Sequence, residues 1–242
     1  MARESGLRAA DDPVKTIKLI TGFSIVLLNV LSAHAQGTFQ NLNFESANLS
    51  NPSGPYNEVP ITSALPDWSA SIGNVAVTEI WANGVSTGEA TIDVFGPGWN
   101  YIDPGIIDGN YTVFLQAFDT GQGNVSLWQN GTIPANAASL QFCAWDYSSV
   151  IDSVSFAGNN LSPVVLGSGQ SPSGQAYTVY GINITPYAGQ TGQLEFTAFG
   201  GQSPNPFELD DISFVLTPEP SIVALTAIGG LLFGARKWFA RP

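Results

Sequence analysis

Positive charge is almost absent from this chain. No Lys or Arg occurs between Lys18 and Arg236, and the single histidine, His34, sits near the N-terminus. Acids fill the gap: from Gln36 to Thr217 there are 15 Asp and Glu side chains and no Lys, Arg or His. A surface of one negative sign repels phosphate backbones, which excludes nucleic acid as a partner of this region. Anionic membranes and polyanionic sugars are disfavoured for the same reason, unless a divalent cation bridges them. Cysteine is equally scarce. Cys143 is the only one, so no intramolecular disulfide can form. In "SLQFCAW" it sits among Leu140, Phe142 and Ala144 and reads as a small buried hydrophobe, with a reactive thiol or an intermolecular disulfide as the alternatives.

Long apolar runs are also missing; two short ones lie near the ends. Residues 1–35 have the layout of a secretory signal. Arg3, Arg8, Lys15 and Lys18 form a basic start, "LITGFSIVLLNVL" an apolar run of 13 residues, and Ala33 and Ala35 the small-x-small pattern of a cleavage site. Cleavage by signal peptidase after Ala35 removes His34, so the mature chain has no histidine. That excludes Ser-His and Cys-His nucleophiles and strips zinc of its favoured ligands.

The second run, "IVALTAIGGLLFGA" over 222–235, covers about 21 Å as a helix, short of the roughly 30 Å hydrocarbon core. Trp238 and Phe239 at an interface, with Arg236 and Lys237 snorkelling, bring a short transmembrane helix within reach. Basic residues behind it place that end in the cytoplasm and the acidic region outside. The order Pro218-Glu219-Pro220, short apolar helix, then Arg236, Lys237 and Arg241, resembles the PEP-CTERM sorting signal of exported bacterial proteins. Trp238, Phe239 and Ala240 interrupt the basic cluster, which departs from the pattern. The resemblance implies processing of 217–242 by an exosortase-type membrane peptidase and a link to envelopes and extracellular polysaccharide. An ordinary anchor that stays in place is the other reading.

Between the two ends, short runs rich in β-branched and aromatic residues alternate with turn clusters such as "NPSGP", "DPG", "DGN" and "SPSG". The runs are 38–44, 74–81, 90–95, 111–118, 124–129, 139–145, 152–157, 163–167, 176–184, 192–200 and 209–216. Strict alternation puts Leu194, Phe196 and Ala198 on one face, and Ile212, Phe214 and Leu216 on another. The expected fold is all-β: a single antiparallel β-sandwich, or jelly roll, over 36–216, flanked by the signal helix and the short transmembrane helix.

"NLNFES" (41–46), "LPDWS" (65–69) and the closing "FELDDISF" (207–214) resemble the galactose-binding-like jelly rolls found among carbohydrate-binding modules. That resemblance implies a structural calcium held by Glu45 and by Asp210 or Asp211, hard oxygen ligands that would staple the first and last strands. The alternative is that these acids are solvated strand residues.

Few motifs point to catalysis. Asp119-Thr120-Gly121 mimics an aspartic-protease motif, but that mechanism needs two such aspartates and only one occurs. A glycosidase needs two carboxylates, and no motif here pairs two. Trp68, Trp81, Trp99, Trp128 and Trp145 are either core or sugar-stacking rings. Trp128 and Trp145, inside strands, are expected in the core. Trp99 and Tyr101 in "FGPGWNYIDPG", with Asp103 or Asp108 as hydrogen-bond acceptor, are the expected glycan-binding residues. The expected protein is non-enzymatic, exported and surface-associated, with a carboxylate-based glycoside hydrolase or lyase as the alternative.

Overall fold

The computed structural model describes residues 37–217, apart from 85–87, 102–104, 119–122, 149–151 and 202. Ala33, Ala35, Asp103, Asp119 and the tail residues Pro218, Glu219, Pro220, Arg236, Lys237 and Arg241 lie outside the described residues. So do the expected signal and transmembrane helices. Among the described residues no helix is long and apolar enough to cross a membrane.

Among the described residues fourteen strands follow one another: β1 (Glu58–Pro60), β2 (Ser69–Ile72), β3 (Val75–Ala76), β4 (Glu79–Ala82), β5 (Thr91–Phe95), β6 (Thr112–Ala117), β7 (Val125–Thr132), β8 (Ala137–Trp145), β9 (Asp152–Phe156), β10 (Asn159–Asn160), β11 (Val164–Gln170), β12 (Ala176–Asn183), β13 (Thr191–Ala198) and β14 (Asn205–Leu216). One helical turn, α1 (Ile61–Ala64), follows β1 directly. They make an eight-stranded sheet in the order β1-β4-β5-β6-β14-β8-β12-β11 and a six-stranded sheet in the order β10-β9-β13-β7-β2-β3. This is the all-β, two-sheet sandwich the alternation predicts. The pairings within these sheets are antiparallel except β4 with β5, which run parallel.

The core lies between the sheets, and one face of each strand other than β3, β10 and β11 feeds it. Leu194, Phe196 and Ala198 of β13 point inward, as do Phe207, Leu209, Ile212 and Phe214 of β14. Phe142 packs edge-on against Phe196 at 5.5 Å and stacks on Tyr180 at 5.2 Å. Of the described tryptophans, Trp68 is the one in the core; its Nε1 donates to the Asn41 carbonyl at 3.0 Å. Trp128 and Trp145 are only half-buried, because Leu127 and Ala144 take the inward positions beside them.

The first expected strand, 38–44, is a run of turns instead. Asn41 and Phe44 both adopt positive φ (49° and 57°), which a strand cannot accommodate. The segment still buries Phe39, Leu42 and Phe44. It joins the sandwich where β14 bulges, between Asp210 and Ser213: Asp211 has φ 47°, and the displaced Ile212 N–H donates to the Leu42 carbonyl at 3.1 Å. The run 74–81 is likewise split into β3 and β4.

Truncating a well-packed aromatic leaves a cavity its neighbours cannot fill. Phe142→Ala is expected to lower stability by about 3–5 kcal/mol in chemical denaturation, with no change in far-UV signature.

Candidate functional site

Because Val113, Leu115, Phe207 and Leu209 point into the core, their neighbours Thr112, Phe114, Gln116, Glu208 and Asp210 must face the other way. This outer face of the larger sheet is nonetheless buried, because loops cover it. Asp93, Glu208 and Asp210 all lie beneath that cover, at 0–1% exposure. Register aligns Trp81, Asp93, Phe114, Glu208 and Trp145 in one row across β4, β5, β6, β14 and β8.

Burying carboxylates where no Lys or Arg is at hand requires neutral donors. Asp210 Oδ2 accepts the Thr112 hydroxyl at 2.6 Å and the Asp108 N–H at 3.1 Å; its Oδ1 accepts the Asp211 N–H at 2.7 Å. Glu208 Oε1 accepts the Gly105 N–H at 2.9 Å and Oε2 the Gln175 amide at 2.8 Å. Glu45 grips the same loop from outside, accepting the Asn110 and Tyr111 N–H groups at 2.7 and 3.1 Å and the Asn110 side-chain amide at 2.9 Å. Between these acids lies Gly109, with φ 59°; a Cβ there would strike the Glu45 carboxylate.

The first and last acids therefore do meet across one loop, as the jelly-roll resemblance implies, but N–H and O–H donors occupy the oxygens that would face a cation. Asp211 lies apart at the surface bulge. Among the described residues no group of three His, Cys, Asp or Glu side chains is gathered to hold a metal ion. Glu45, Asp210 and Asp211 do not fit a calcium site.

The loops held this way enclose a cleft of about 160 Å³ lined by Trp99, Tyr101, Ile106, Gly109, Pro172 and Ser173. "GPGW" explains the first wall. Pro97 and Gly98 (φ 102°) fill the centre of a tight turn closed by Trp99 N–H to the Gly96 carbonyl at 2.9 Å. The turn lays Trp99 flat on Phe95, centroids 4.2 Å apart and planes 10° apart, and Phe95 rests on Phe114 at 5.2 Å. Tyr101 leans on Trp99 at 4.8 Å and is 67% exposed. The opposite wall is the β11–β12 turn, fastened by Gly174 N–H to the Ser171 carbonyl and by Gln175 N–H to the Ser171 hydroxyl. Glu208 ties the walls together, since Gly105 belongs to one and Gln175 to the other. Sequence reasoning missed Glu208, Gln175 and Asp93; the alternation in "FELDD" puts Glu208 and Asp210 on one face and was the available signal.

A second groove of about 190 Å³ opens where β4 and β5 splay. Tyr56 and Trp81 stack at its rim, 4.6 Å apart and 13° from parallel, and Glu79, Glu89 and Thr91 also line it. Asp93 lies next to this rim. Its Oδ2 accepts the Gly84 N–H at 2.8 Å, whereas Oδ1 is buried without a hydrogen-bond partner among the described residues. Burial pushes the Asp93 carboxyl up to about 8. Burial also pushes Asp210 up to about 8, against its three donors, and Asp152 up to about 6. Cys143 faces Asp210 and Asp211; burial first, then those charges, push its thiol up to about 12, which makes it inert.

No protein-family model and no curated protein matches the chain. Among solved structures, a cyclase from Fischerella sp. TAU is similar at TM-score 0.43 and 13% identity, over 76% of this chain and 98% of that one. The enzymatically active domain of tailspike protein 4 from bacteriophage CBA120 follows at TM-score 0.40 and 14% identity, over 75% of this chain but 21% of that one. The family 11 carbohydrate-binding module of Clostridium thermocellum has TM-score 0.34 and 9% identity, over 67% of this chain and 96% of that one. At such scores the likenesses carry no functional argument.

The raised acids make stability fall as pH rises. Between about pH 4 and pH 8 folded Asp93 and Asp210 keep protons that the unfolded chain releases, so the unfolded state gains relative to the folded one. Melting temperature is expected to drop across that window, and Asp93→Asn to flatten the drop. In the same melts EDTA is expected to leave the melting temperature unchanged; a fall of several degrees would reveal a bound ion.

Proposed function

We propose that this chain is an exported, non-enzymatic surface or extracellular-matrix protein whose sandwich binds a neutral glycan at the Trp99–Tyr101 cleft. The observation that carries the reading is the aromatic pair held rigid on Phe95 with Tyr101 open to solvent. The C–H face of a pyranose is apolar, and covering it with a fixed ring buries area without ordering a flexible side chain. The cleft is small beside the roughly 300–1,000 Å³ of pockets that engulf a ligand, which suits one sugar ring resting at the surface. Its acidic, lysine-free setting favours an uncharged saccharide. The jelly-roll resemblance of "NLNFES" and "FELDDISF" agrees with this reading.

Export rests on the signal-like residues 1–35 and on the PEP-CTERM-like order of 217–242. In this reading the basic end holds the chain in the membrane while Pro218-Glu219-Pro220, which resists helix, is presented to an exosortase-type peptidase outside. The folded region then joins the envelope or its polysaccharide.

The second groove favours a different reading, a glycoside hydrolase, because Glu79 and Glu89 line it beside the stacked Tyr56 and Trp81. The Trp99 cleft, by contrast, has no carboxylate among its described lining residues.

A neutral-glycan array distinguishes the two. Binding without release of reducing sugar is expected, weakened about tenfold or more by Trp99→Ala, a loss of about 1.4 kcal/mol. Turnover abolished by Glu89→Gln would establish the hydrolase instead. Mass spectrometry of the C-terminus of the protein from its native cells is expected to find it ending near Pro218–Pro220; an intact Pro242 would show a retained anchor.

A further inference from the structure

Each sheet has two edge strands, and three of these four edges are blunted. β3 and β10 are two residues long. β1 has three residues, of which Glu58 is charged and Pro60 has no N–H to offer. The fourth edge, β11, is different. It runs seven residues, pairs on one side with β12, and among the described residues has no strand on its other side. Val164, Val165 and Leu166 stand 58%, 67% and 53% exposed on it, with no charge and no proline within the strand. Unpaired backbone donors and acceptors beside exposed apolar side chains form a template for another strand.

Charge distribution indicates what that strand is. The chain carries net charge −12, yet no charged residue occurs between Asp152 and Glu195. That interval contains β10, β11 and β12, so β11 and its sheet neighbour β12 are both uncharged. An acidic surface drives two copies apart, and the repulsion is least at an edge whose own strands carry no charge. A basic partner would instead be drawn to the acids, none of which is on β11 or β12.

We infer that β11 is a self-association edge: β11 of one copy pairs antiparallel with β11 of a second copy about a two-fold axis, joining the two eight-stranded sheets. An edge that pairs with itself gives a closed dimer rather than a fibre, because each copy has a single such edge among the described residues. Against β12 the strand bulges between Val165 and Gly167. The bulge interrupts the β11–β12 ladder at Leu166, which packs back over Gly181, while Val164 and Val165 stay exposed at the start of the edge. This inference is independent of the glycan reading.

Sedimentation velocity of the full-length chain in a non-ionic detergent tests it, at concentrations up to about 100 μM, where even a weak interface is populated. A dimer is expected for the unaltered chain, a monomer for the double variant Val164→Lys/Val165→Lys, and a dimer for the control Val75→Lys on β3. Every variant keeps the same tail, so association through the tail would not distinguish them. Hydrogen exchange provides a readout without mutation: amide protection over 164–170 is expected to rise with concentration while β3 stays unchanged. A monomer throughout, a dimer that survives the double substitution, or exchange over 164–170 that ignores concentration would each overturn the inference.

Discussion

The arrangement of loops over the larger sheet depends on buried carboxylates that have no cation to neutralise them. Glu208 and Asp210 sit on the outer face of the closing strand, at the middle of the sheet, and are sealed from water. A buried carboxylate without partners costs several kcal/mol, so the surrounding chain must deliver donors. Here the donors are backbone N–H groups of Gly105 and Asp108, the Thr112 hydroxyl and the Gln175 amide. Apart from Thr112, which opens β6, those groups lie on the two loops that form the cleft. The requirement to satisfy the acids and the requirement to shape the cleft are met by the same bonds. Removing one acid would free loops as well as hydrogen bonds.

This constraint reorders the roles suggested by the jelly-roll resemblance. A calcium ion would have joined the ends of the domain through Glu45 and Asp210. The ends are joined instead by a backbone bond from Ile212 to Leu42, made available by a bulge, and by two carboxylates gripping opposite sides of the 108–112 turn. The acids keep their positions but change their chemistry: amide dipoles do locally what a divalent ion does in one stroke. A region with no Lys or Arg between Lys18 and Arg236 has few other ways to bury an acid, and raised pKa values at Asp93 and Asp210 are the remaining one.

Much of the sandwich was legible because period-two alternation is imposed by the sheet itself, and β5 to β9 and β11 to β14 fall on the runs it predicts. It failed where residues other than pattern decide. At 38–44 the apolar spacing suits a strand, but Asn41 and Phe44 take left-handed backbone and the buried rings come from turns. Lying inside strands suggests the core for Trp128 and Trp145, whereas alternation relative to Leu127 and Ala144 sends them outward. The Trp99–Tyr101 pair was legible as an aromatic turn, since "GPGW" dictates its geometry. Its opposite wall was not, because Pro172 and Ser173 lie about seventy residues away and only strand order brings them near.

The absence of positive charge then explains two properties at once. Inside, it leaves neutral donors and protonated acids as the means of burial, and the loop cover over Asp93, Glu208 and Asp210 follows from that. Outside, it leaves net repulsion as the default between copies, so that any surface for association must be one where charge is absent altogether. The stretch from Ser153 to Leu194 meets that condition and contains both the long edge strand and the turn that closes the cleft. A copy paired at β11 would have Pro172 and Ser173 at the end of the same hairpin, so pairing that edge would brace the wall against which a sugar ring would rest.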